Sequence, residues 1–259
     1  MAQLKVMSFN MRWSGAKDGI NCFENRKPKI LAMLEREDPD LIGFQEITPE
    51  MRRWLVEVLG DYFLVGGGRT ATYGGESALV GFKKAKMQLI SADTVMLSSN
   101  PKVQGSFYEG SDQSPCPRCY TKVFFKHDEI DEPFWFYNVH TDHVGALARL
   151  LASTQMLQDI NSHQDKFFLT GDLNASPDAP EIQMFTAQSR IKDATALLGG
   201  TCHGYGRHIR EGNFGLNAKI DYILVGGEIE VKEASVVTEA PEDGIYYSDH
   251  FAVTAIVEM

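Results

Sequence analysis

The sequence has no long apolar run, which excludes an integral membrane protein. No stretch of its 259 residues approaches the ~18 consecutive apolar residues of a membrane-spanning helix. The N-terminus also has no apolar signal region and no cleavage site, and it begins directly with a strand pattern. We therefore expect a cytoplasmic protein without a membrane anchor.

Cysteine is also scarce, and it does not form the pattern of a zinc site. The chain has four cysteines, at positions 22, 116, 119 and 202. Only Cys116 and Cys119 have the spacing of metal ligands, and a structural zinc site needs a second pair. Pro117 and Arg118 lie between them with no helix pattern following, which argues against a redox C-x-x-C motif. We expect reduced structural cysteines, so a zinc-dependent thiol enzyme is the least favoured function.

The chain lacks an excess of basic residues. Its 25 lysines and arginines stand against 35 aspartates and glutamates, a formal net charge of −10. This balance argues against a general surface for duplex nucleic acid, but it is compatible with an anionic substrate held by a metal ion and a local basic loop. The glycine clusters at 66–68 and 74–75 lack the Lys-Ser/Thr ending of a phosphate-binding loop, so they predict flexible loops.

No linker-like stretch, internal repeat or low-complexity segment divides the chain. Its hydrophobic content of 43% and charged content of 23% are ordinary globular values and exclude disorder. We therefore predict a single domain over residues 1–259.

The order of the predicted elements indicates an α/β fold. Strands are predicted at 4–10, 41–46, 167–170, 220–225, 229–238 and 251–258, and further strands joined by turns within 76–97 and 119–140. Helices are predicted at 26–37, from Thr48 onward, at about 144–162 and from Asp178 onward. This order favours two mostly antiparallel, mixed β-sheets packed face to face, with helices outside.

Several predicted strands end on polar side chains, at the rim where functional sites of layered α/β proteins collect. The set contains carboxylates, amides and imidazoles: Asn10, Glu46, His140, Asp172, Asn174, Asp221, Asp249 and His250. Carboxylate and amide oxygens suit Mg²⁺, whereas zinc favours more histidine or cysteine. A divalent ion, a carboxylate that accepts a proton from water and cationic imidazoles together predict phosphoester hydrolysis. By contrast, His127 beside two acids is expected in a surface loop.

Six short motifs carry a family resemblance. They are Ser8-Phe9-Asn10, Gln45-Glu46, Asn138-Val139-His140, Gly171-Asp172-Leu173-Asn174, Lys219-Ile220-Asp221-Tyr222 and Ser248-Asp249-His250. In this order they resemble the endonuclease/exonuclease/phosphatase superfamily, and blocks at 116–118, 141–143 and 201–206 resemble a stand-alone subgroup whose substrates are not established. The resemblance implies a four-layered α/β sandwich that cleaves a phosphoester with Mg²⁺ or Mn²⁺.

The resemblance also implies roles for the oxygen-bearing residues. Glu46 matches the direct metal ligand of the family, and Asn10 and Asp249 match positions that contact the metal, its waters or the phosphate. Asp172 matches the residue that orients and deprotonates the attacking water. Asn174 matches its neighbour that holds the phosphate.

The imidazoles and their partners match in the same way. His250 matches the imidazole that faces the scissile phosphate, and Asp221 matches the residue that orients it and favours its charged form. His140 matches a second phosphate-facing imidazole, with Glu76 as its expected partner. Arg118 lies where many members have an arginine near the site.

The segment from 203 to 219 concentrates basic residues in an acidic chain. It has His203, Arg207, His208, Arg210 and Lys219 against one acid, and four glycines predict a flexible loop. We hypothesise that this segment binds an anionic substrate, together with residues 12–13 and the loop 69–73. A merely solvated loop is the alternative.

These observations favour a divalent-metal-dependent hydrolase that cleaves a phosphoester, most simply a phosphodiester, by in-line attack of water. The expected substrate is a phosphorylated small molecule or a single-stranded nucleic acid. A true nuclease acting on single-stranded DNA or RNA is the first alternative. A non-catalytic binding or scaffold protein on the same fold is the second, and it would be marked by lost site residues, whereas all six motifs are intact. No protein partner is indicated.

Overall fold

The structure is a computed structural model that describes residues 2–212, 215, 218–238 and 241–259. The strands are β1 Gln3–Asn10, β2 Leu41–Ile47, β3 Tyr62–Val65, β4 Ser77–Lys83, β5 Met87–Leu97, β6 Arg118–His127, β7 Phe134–His140, β8 Phe167–Asp172, β9 Ile191–Asp193, β10 Asp221–Gly226, β11 Glu230–Val237 and β12 Ala252–Glu258. The α-helices are α1 Phe23–Glu37, α2 Pro49–Val58, α3 Ala146–Ile160, α4 Pro180–Thr186 and α5 Arg207–Arg210. None of the described helices is long and apolar enough to cross a membrane.

The strands form two six-stranded mixed sheets. The first has the order β11-β12-β1-β2-β4-β3 and the second β5-β6-β7-β8-β10-β9. Each sheet has a parallel pair at its centre, β1 with β2 and β7 with β8, and the helices α1 and α3 lie within the connections that parallel pairing requires. Because parallel strands end at the same edge, the last residues of all four strands lie at one edge of their sheet.

The apolar residues divide into three clusters that define four layers. One cluster lies between the sheets and includes Val80 and Val253 from the first sheet and Phe125 and Phe168 from the second. The other two pack α1 and α2 against the first sheet, and α3 and α4 against the second. This arrangement confirms the predicted α/β sandwich with helices outside.

The long, strongly periodic elements were predictable, and the short ones were not. The helix predicted at about 144–162 is α3, and α2 begins as predicted, with the Thr48 hydroxyl accepting a hydrogen bond from the Met51 amide. The edge strands β3 and β9 have four and three residues, too few to display a period. The prediction for His127 is wrong, because it lies at the end of β6 and is only 4% exposed.

Candidate active site

Strand register brings three of the predicted residues side by side in the second sheet. Asp172 at the end of β8 pairs with His140 of β7 on one side and with Asp221 of β10 on the other. From the opposite sheet, Asn10 at the end of β1 contacts Asp172 through its side chain. The site therefore lies at the edge where both sheets present their strand ends.

The amide of Asn10 joins two carboxylates. Its Nδ2 donates to Glu46 Oε1 at 3.1 Å and to Asp172 Oδ2 at 2.9 Å, although these residues belong to different sheets. Its Oδ1 accepts from the Arg12 amide at 2.9 Å. Since Asn10 is completely buried, this side chain fixes the distance between the two acids.

Three residues around these acids have a left-handed backbone. They are Arg12 at φ 53°, Glu46 at φ 62° and Asn174 at φ 47°. Glu46 lies within a β-bulge, since the β2–β4 register shifts between Phe44 and Ile47, and the Trp13 amide donates to its Oε2 at 2.8 Å. Bulges and non-glycine residues with positive φ concentrate at functional sites, where they redirect a side chain.

His250 and Asp221 form a buried pair. His250 Nδ1 lies 2.9 Å from Asp221 Oδ2, which also accepts from the Thr201 hydroxyl at 2.6 Å. Burial alone would lower the pKa of His250, but the negative charge of Asp221 raises it well above the ordinary value. The pair therefore favours an imidazolium in the cleft.

The pKa shifts of Asp172 and His140 favour their neutral forms, whereas that of His250 favours its charged form. Burial, followed by the charge of Asp221, raises the pKa of Asp172 above its ordinary value. Burial and the nearby positive charge of Arg118 lower the pKa of His140 well below its ordinary value, so its imidazole is neutral. His140 Nε2 lies 3.6 Å from Asp172 Oδ2.

Arg118 lines the cleft, and Asp142 and His143 hold its guanidinium group in position. It is 4% exposed, its Nη2 lies 2.7 Å from His143 Nδ1, and its Nε donates to Asp142 Oδ2 at 3.4 Å. Its Nη1 is buried and has no hydrogen-bond partner among the described residues. A buried guanidinium nitrogen without an acceptor is costly, so this nitrogen is suited to an anion in the cleft.

Glu76 was expected to pair with His140, but it pairs with Arg69 instead. Its carboxylate accepts from Arg69 Nη2 at 2.7 Å, and Arg69 belongs to the loop 69–73 that was expected beside the substrate. A guanidinium forms a stronger hydrogen bond with a carboxylate than a neutral imidazole does, and His140 is neutral. Glu76 and Arg69 nevertheless both line the cleft beside His140.

The cleft has a volume of about 410 Å³ and contains most of the predicted set. Asn10 and Asp221 do not line the cleft themselves. Asn10 is hydrogen-bonded to Glu46 and Asp172, and Asp221 is paired with His250, and all three of these partners line it. Three residues that were not assigned to the site from the sequence also line it, namely Cys116, Cys202 and Ile220, together with His143 and with Arg69 of the loop 69–73. The two cysteines belong to the sequence blocks 116–118 and 201–206, and their place in these blocks is the feature of the sequence that could have identified them.

A layer of buried polar residues lies next to the cleft, two residues earlier on the same strands. Asn138 and Thr170 come two residues before His140 and Asp172 on the same strands, so they face the same side. Asn138 Oδ1 accepts from Gln45 Nε2 at 2.7 Å and from Thr170 Oγ1 at 3.2 Å, which ties the sheets together. Gly43 permits this approach, because a Cβ there would lie 2.0 Å from Thr170 Oγ1.

The basic segment only partly meets its predicted role. His203 is completely buried, with its ring stacked on Phe251 at 4.0 Å between centroids, and it does not line the cleft. Lys219 is also buried and pairs with Asp193 at 3.0 Å. Arg207 is exposed beside a second cavity next to the cleft. Residues 213, 214, 216 and 217 of this segment lie outside the described residues.

The donor set fits a hard divalent cation. Asp172, Asp221 and His250 offer ligand atoms that all lie within 4.8 Å of one another, and this group could hold a metal ion. Asp221 Oδ1 is buried without a hydrogen-bond partner in the described part of the chain. The carboxylates of Glu46 and Asp172 also converge on one amide, a concentration of negative charge that a cation would relieve.

Comparisons with known proteins agree with this fold. The model of the Endonuclease/Exonuclease/phosphatase family matches residues 7–250. An endonuclease/exonuclease/phosphatase of Bacteroides vulgatus has a TM-score of 0.90 and 27% identity, covering 100% of both chains. A mannosyl-6-phosphatase of Bacteroides thetaiotaomicron has a TM-score of 0.88 and 24% identity, covering 99% of this chain and 100% of its own.

A curated relative matches over a shorter length. The uncharacterized protein L388 of Acanthamoeba polyphaga mimivirus is 24% identical over 159 residues, which is 59% of this chain and 59% of that protein. The family model, by contrast, covers nearly the whole chain and all six motifs. The chain therefore belongs to the endonuclease/exonuclease/phosphatase family of phosphoesterases.

Proposed function

We propose that this protein is a divalent-metal-dependent hydrolase of small phosphoesters. The observation that carries the proposal is the convergence of Glu46 and Asp172 on the Asn10 amide, opposite the buried pair of His250 and Asp221. This arrangement has a proton acceptor and a cationic imidazole in one cleft. Both groups accelerate the in-line attack of water on a phosphoester.

Asp172 is the proposed acceptor of the proton from the attacking water. Its Oδ1 accepts from the Asn174 amide at 3.0 Å and its Oδ2 from Asn10, so the carboxylate is fixed in one orientation. A general base works best when its pKa approaches the working pH, and the raised pKa of Asp172 is a shift in that direction. Asn174 and Asn10 act as positioning residues for this carboxylate.

His250 and Arg118 are the proposed cationic groups that face the phosphate. The transition state gathers negative charge on the phosphate oxygens, and groups held against that charge beforehand stabilise it without reorganisation. Asp221 holds the His250 ring, while Asp142 and His143 hold Arg118. His140, being neutral, is suited to donate a hydrogen bond to a phosphate oxygen.

Glu46, with Asp249 and Asn10, is the proposed holder of Mg²⁺ or Mn²⁺, which when bound would neutralise phosphate charge and orient the ester. Asp172, Asp221 and His250 are the alternative holder. The geometry favours Glu46, because its carboxylate lines the cleft, whereas Nδ1 of His250 is already occupied by Asp221 Oδ2 at 2.9 Å.

A small phosphorylated substrate suits the cleft better than duplex nucleic acid. The cleft has a volume of about 410 Å³, within the usual range for small-molecule sites of ~300–1,000 Å³. The net charge of −10 disfavours a polyanionic duplex. The similar structure described as a mannosyl-6-phosphatase makes sugar phosphates the first substrates to test.

The test is hydrolysis of a panel of phosphoesters by the purified chain. The panel contains sugar phosphates, inositol phosphates, nucleoside phosphates, a dinucleotide, single-stranded DNA and RNA, each with Mg²⁺, Mn²⁺ or chelator. We expect turnover of at least one small ester that chelator abolishes. Asp172→Asn should lower kcat by roughly 10²–10³-fold, as removal of one preorganised group does.

Asp61→Asn, an exposed position outside the cleft, is the matched control and should retain full activity. Turnover that is confined to single-stranded DNA or RNA would instead identify a nuclease. Binding of a panel member without any turnover would identify a scaffold protein. Wild-type activity in Asp172→Asn would refute the proposed role of this carboxylate.

A further inference from the structure

A second cavity opens beside the catalytic cleft. Its volume is about 690 Å³, and its lining includes Arg12, Arg207, Arg210, Tyr205 and Tyr246. We call it the arginine pocket. Arg12 and Asp249 line both the arginine pocket and the cleft, so one molecule can extend from one into the other.

Among the described residues, two of the three arginines in this pocket have no carboxylate partner. Arg12 pairs with Asp18 at 3.0 Å and lies 3.6 Å from Asp249. Arg207 Nη2 contacts the His208 ring at 3.2 Å and Arg210 Nη1 donates to the Tyr205 carbonyl at 3.4 Å, and within the described ranges neither forms an ion pair. Two guanidinium groups without a carboxylate partner in the described part of the chain thus line one cavity, in a chain whose net charge is −10.

The backbone that carries these residues has an unusual conformation. Gly204, Tyr205 and Gly206 have φ of 56°, 55° and 74°, three left-handed residues in succession. A Cβ at Gly206 would lie 2.5 Å from the Tyr246 hydroxyl and 3.0 Å from Arg210 Nη1, so glycine allows two polar groups to approach the same point. The Tyr205 hydroxyl donates to Asp18 Oδ2 at 2.9 Å. Because Asp18 also pairs with Arg12, this hydrogen bond fixes residues 204–206 beside Arg12.

We propose that the arginine pocket binds a second phosphate group of the substrate while the scissile phosphate occupies the cleft. This inference rests on the proposed function. Guanidinium groups bind phosphate through two parallel hydrogen bonds, and neither Arg207 nor Arg210 has a carboxylate partner among the described residues. The rings of Tyr205 and Tyr246 provide a surface for the sugar that joins the two phosphates. The substrate class is therefore a phosphoester that carries two phosphate groups.

The test compares the binding of matched mono- and bisphosphates by calorimetry. The probes are mannose 6-phosphate against mannose 1,6-bisphosphate, and thymidine 5′-phosphate against thymidine 3′,5′-bisphosphate, all with Mg²⁺ and the Asp172→Asn chain to prevent turnover. In at least one pair we expect the bisphosphate to bind about tenfold or more tightly, the worth of one charge-assisted hydrogen bond. The pair that responds distinguishes a sugar from a nucleoside as the carrier.

The preference should disappear when Arg207→Gln and Arg210→Gln are combined. Arg36→Gln with Arg53→Gln changes the net charge equally at exposed positions on α1 and α2, and it should retain the preference. Equal affinities in both pairs, no binding of any probe, or a preference that survives loss of both pocket arginines would overturn the inference. Absence of hydrolysis by the wild-type chain would refute the proposed function alone, because this measurement requires no turnover.

Discussion

Asn138 provides a strong test of how the fold positions the site. Its Nδ2 donates to the carbonyls of Phe44 and Leu79 at 2.8 and 2.9 Å, where the β2–β4 ladder approaches its bulge. Its Oδ1 accepts from Gln45 and Thr170, so four fully buried hydrogen bonds converge on one side chain. Asn138→Leu preserves the size and removes all four.

The loss can be worked from these contacts. At about 1 kcal/mol of net stability for each hydrogen bond, Asn138→Leu should lower the free energy of unfolding by about 4 kcal/mol. For a protein of this size that corresponds to a fall in Tm of roughly 8–16 °C. Because Thr170 and Gln45 precede Asp172 and Glu46 on their strands, we also expect kcat at 20 °C to fall about tenfold or more.

The assay is thermal and urea unfolding, with kcat measured where the variant is still folded. Asn161→Leu, at an exposed helix end, is the matched control and should change stability by less than about 0.5 kcal/mol. A Tm for Asn138→Leu within about 2 °C of wild type would refute the view that this polar layer holds the sheets together.

The remaining predictions concern a buried arginine and a buried histidine. Arg26 donates to the carbonyls of Met11, Arg12, Asn21 and Tyr247, which joins the segment after β1 to the one before Ser248. Arg26→Lys cannot reach all four, so unfolding in urea should show a loss of about 3 kcal/mol. Burial lowers the pKa of His127, so the unfolded chain binds the extra proton and stability falls as the pH drops below about 6.5. At pH 5.5 this contribution is at most about 1.4 kcal/mol, and His127→Asn should remove it; an unchanged pH dependence would contradict the assignment.

Much of the site could be predicted from the sequence because its residues end long, apolar strands. Asp172 follows a continuous buried run and Glu46 follows another, so the sequence alone predicts that both lie at one rim. The polar layer below the site was not predicted. Asn138 is bonded to Gln45, 93 positions away and in the other sheet, and no local pattern reports such a partner.

Charge patterns were a poorer guide than strand ends. His203 and Lys219 belong to the basic segment and yet are completely buried, because a ring stack on Phe251 and an ion pair with Asp193 compensate for their polarity. Glu76 was assigned to His140 but pairs with Arg69, seven residues before it. Composition alone does not distinguish a solvated cation from one with a buried partner.

The central claim is that one divalent cation and one phosphate are held among Glu46, Asp172 and His250. The most direct measurement is a crystal structure of the chain soaked with Mn²⁺ and phosphate, with the ion located by anomalous scattering. We predict a peak in the cleft coordinated by the Glu46 carboxylate, with phosphate against His250. A peak bound only by Asp172, Asp221 and His250, or no peak in the cleft, would contradict it.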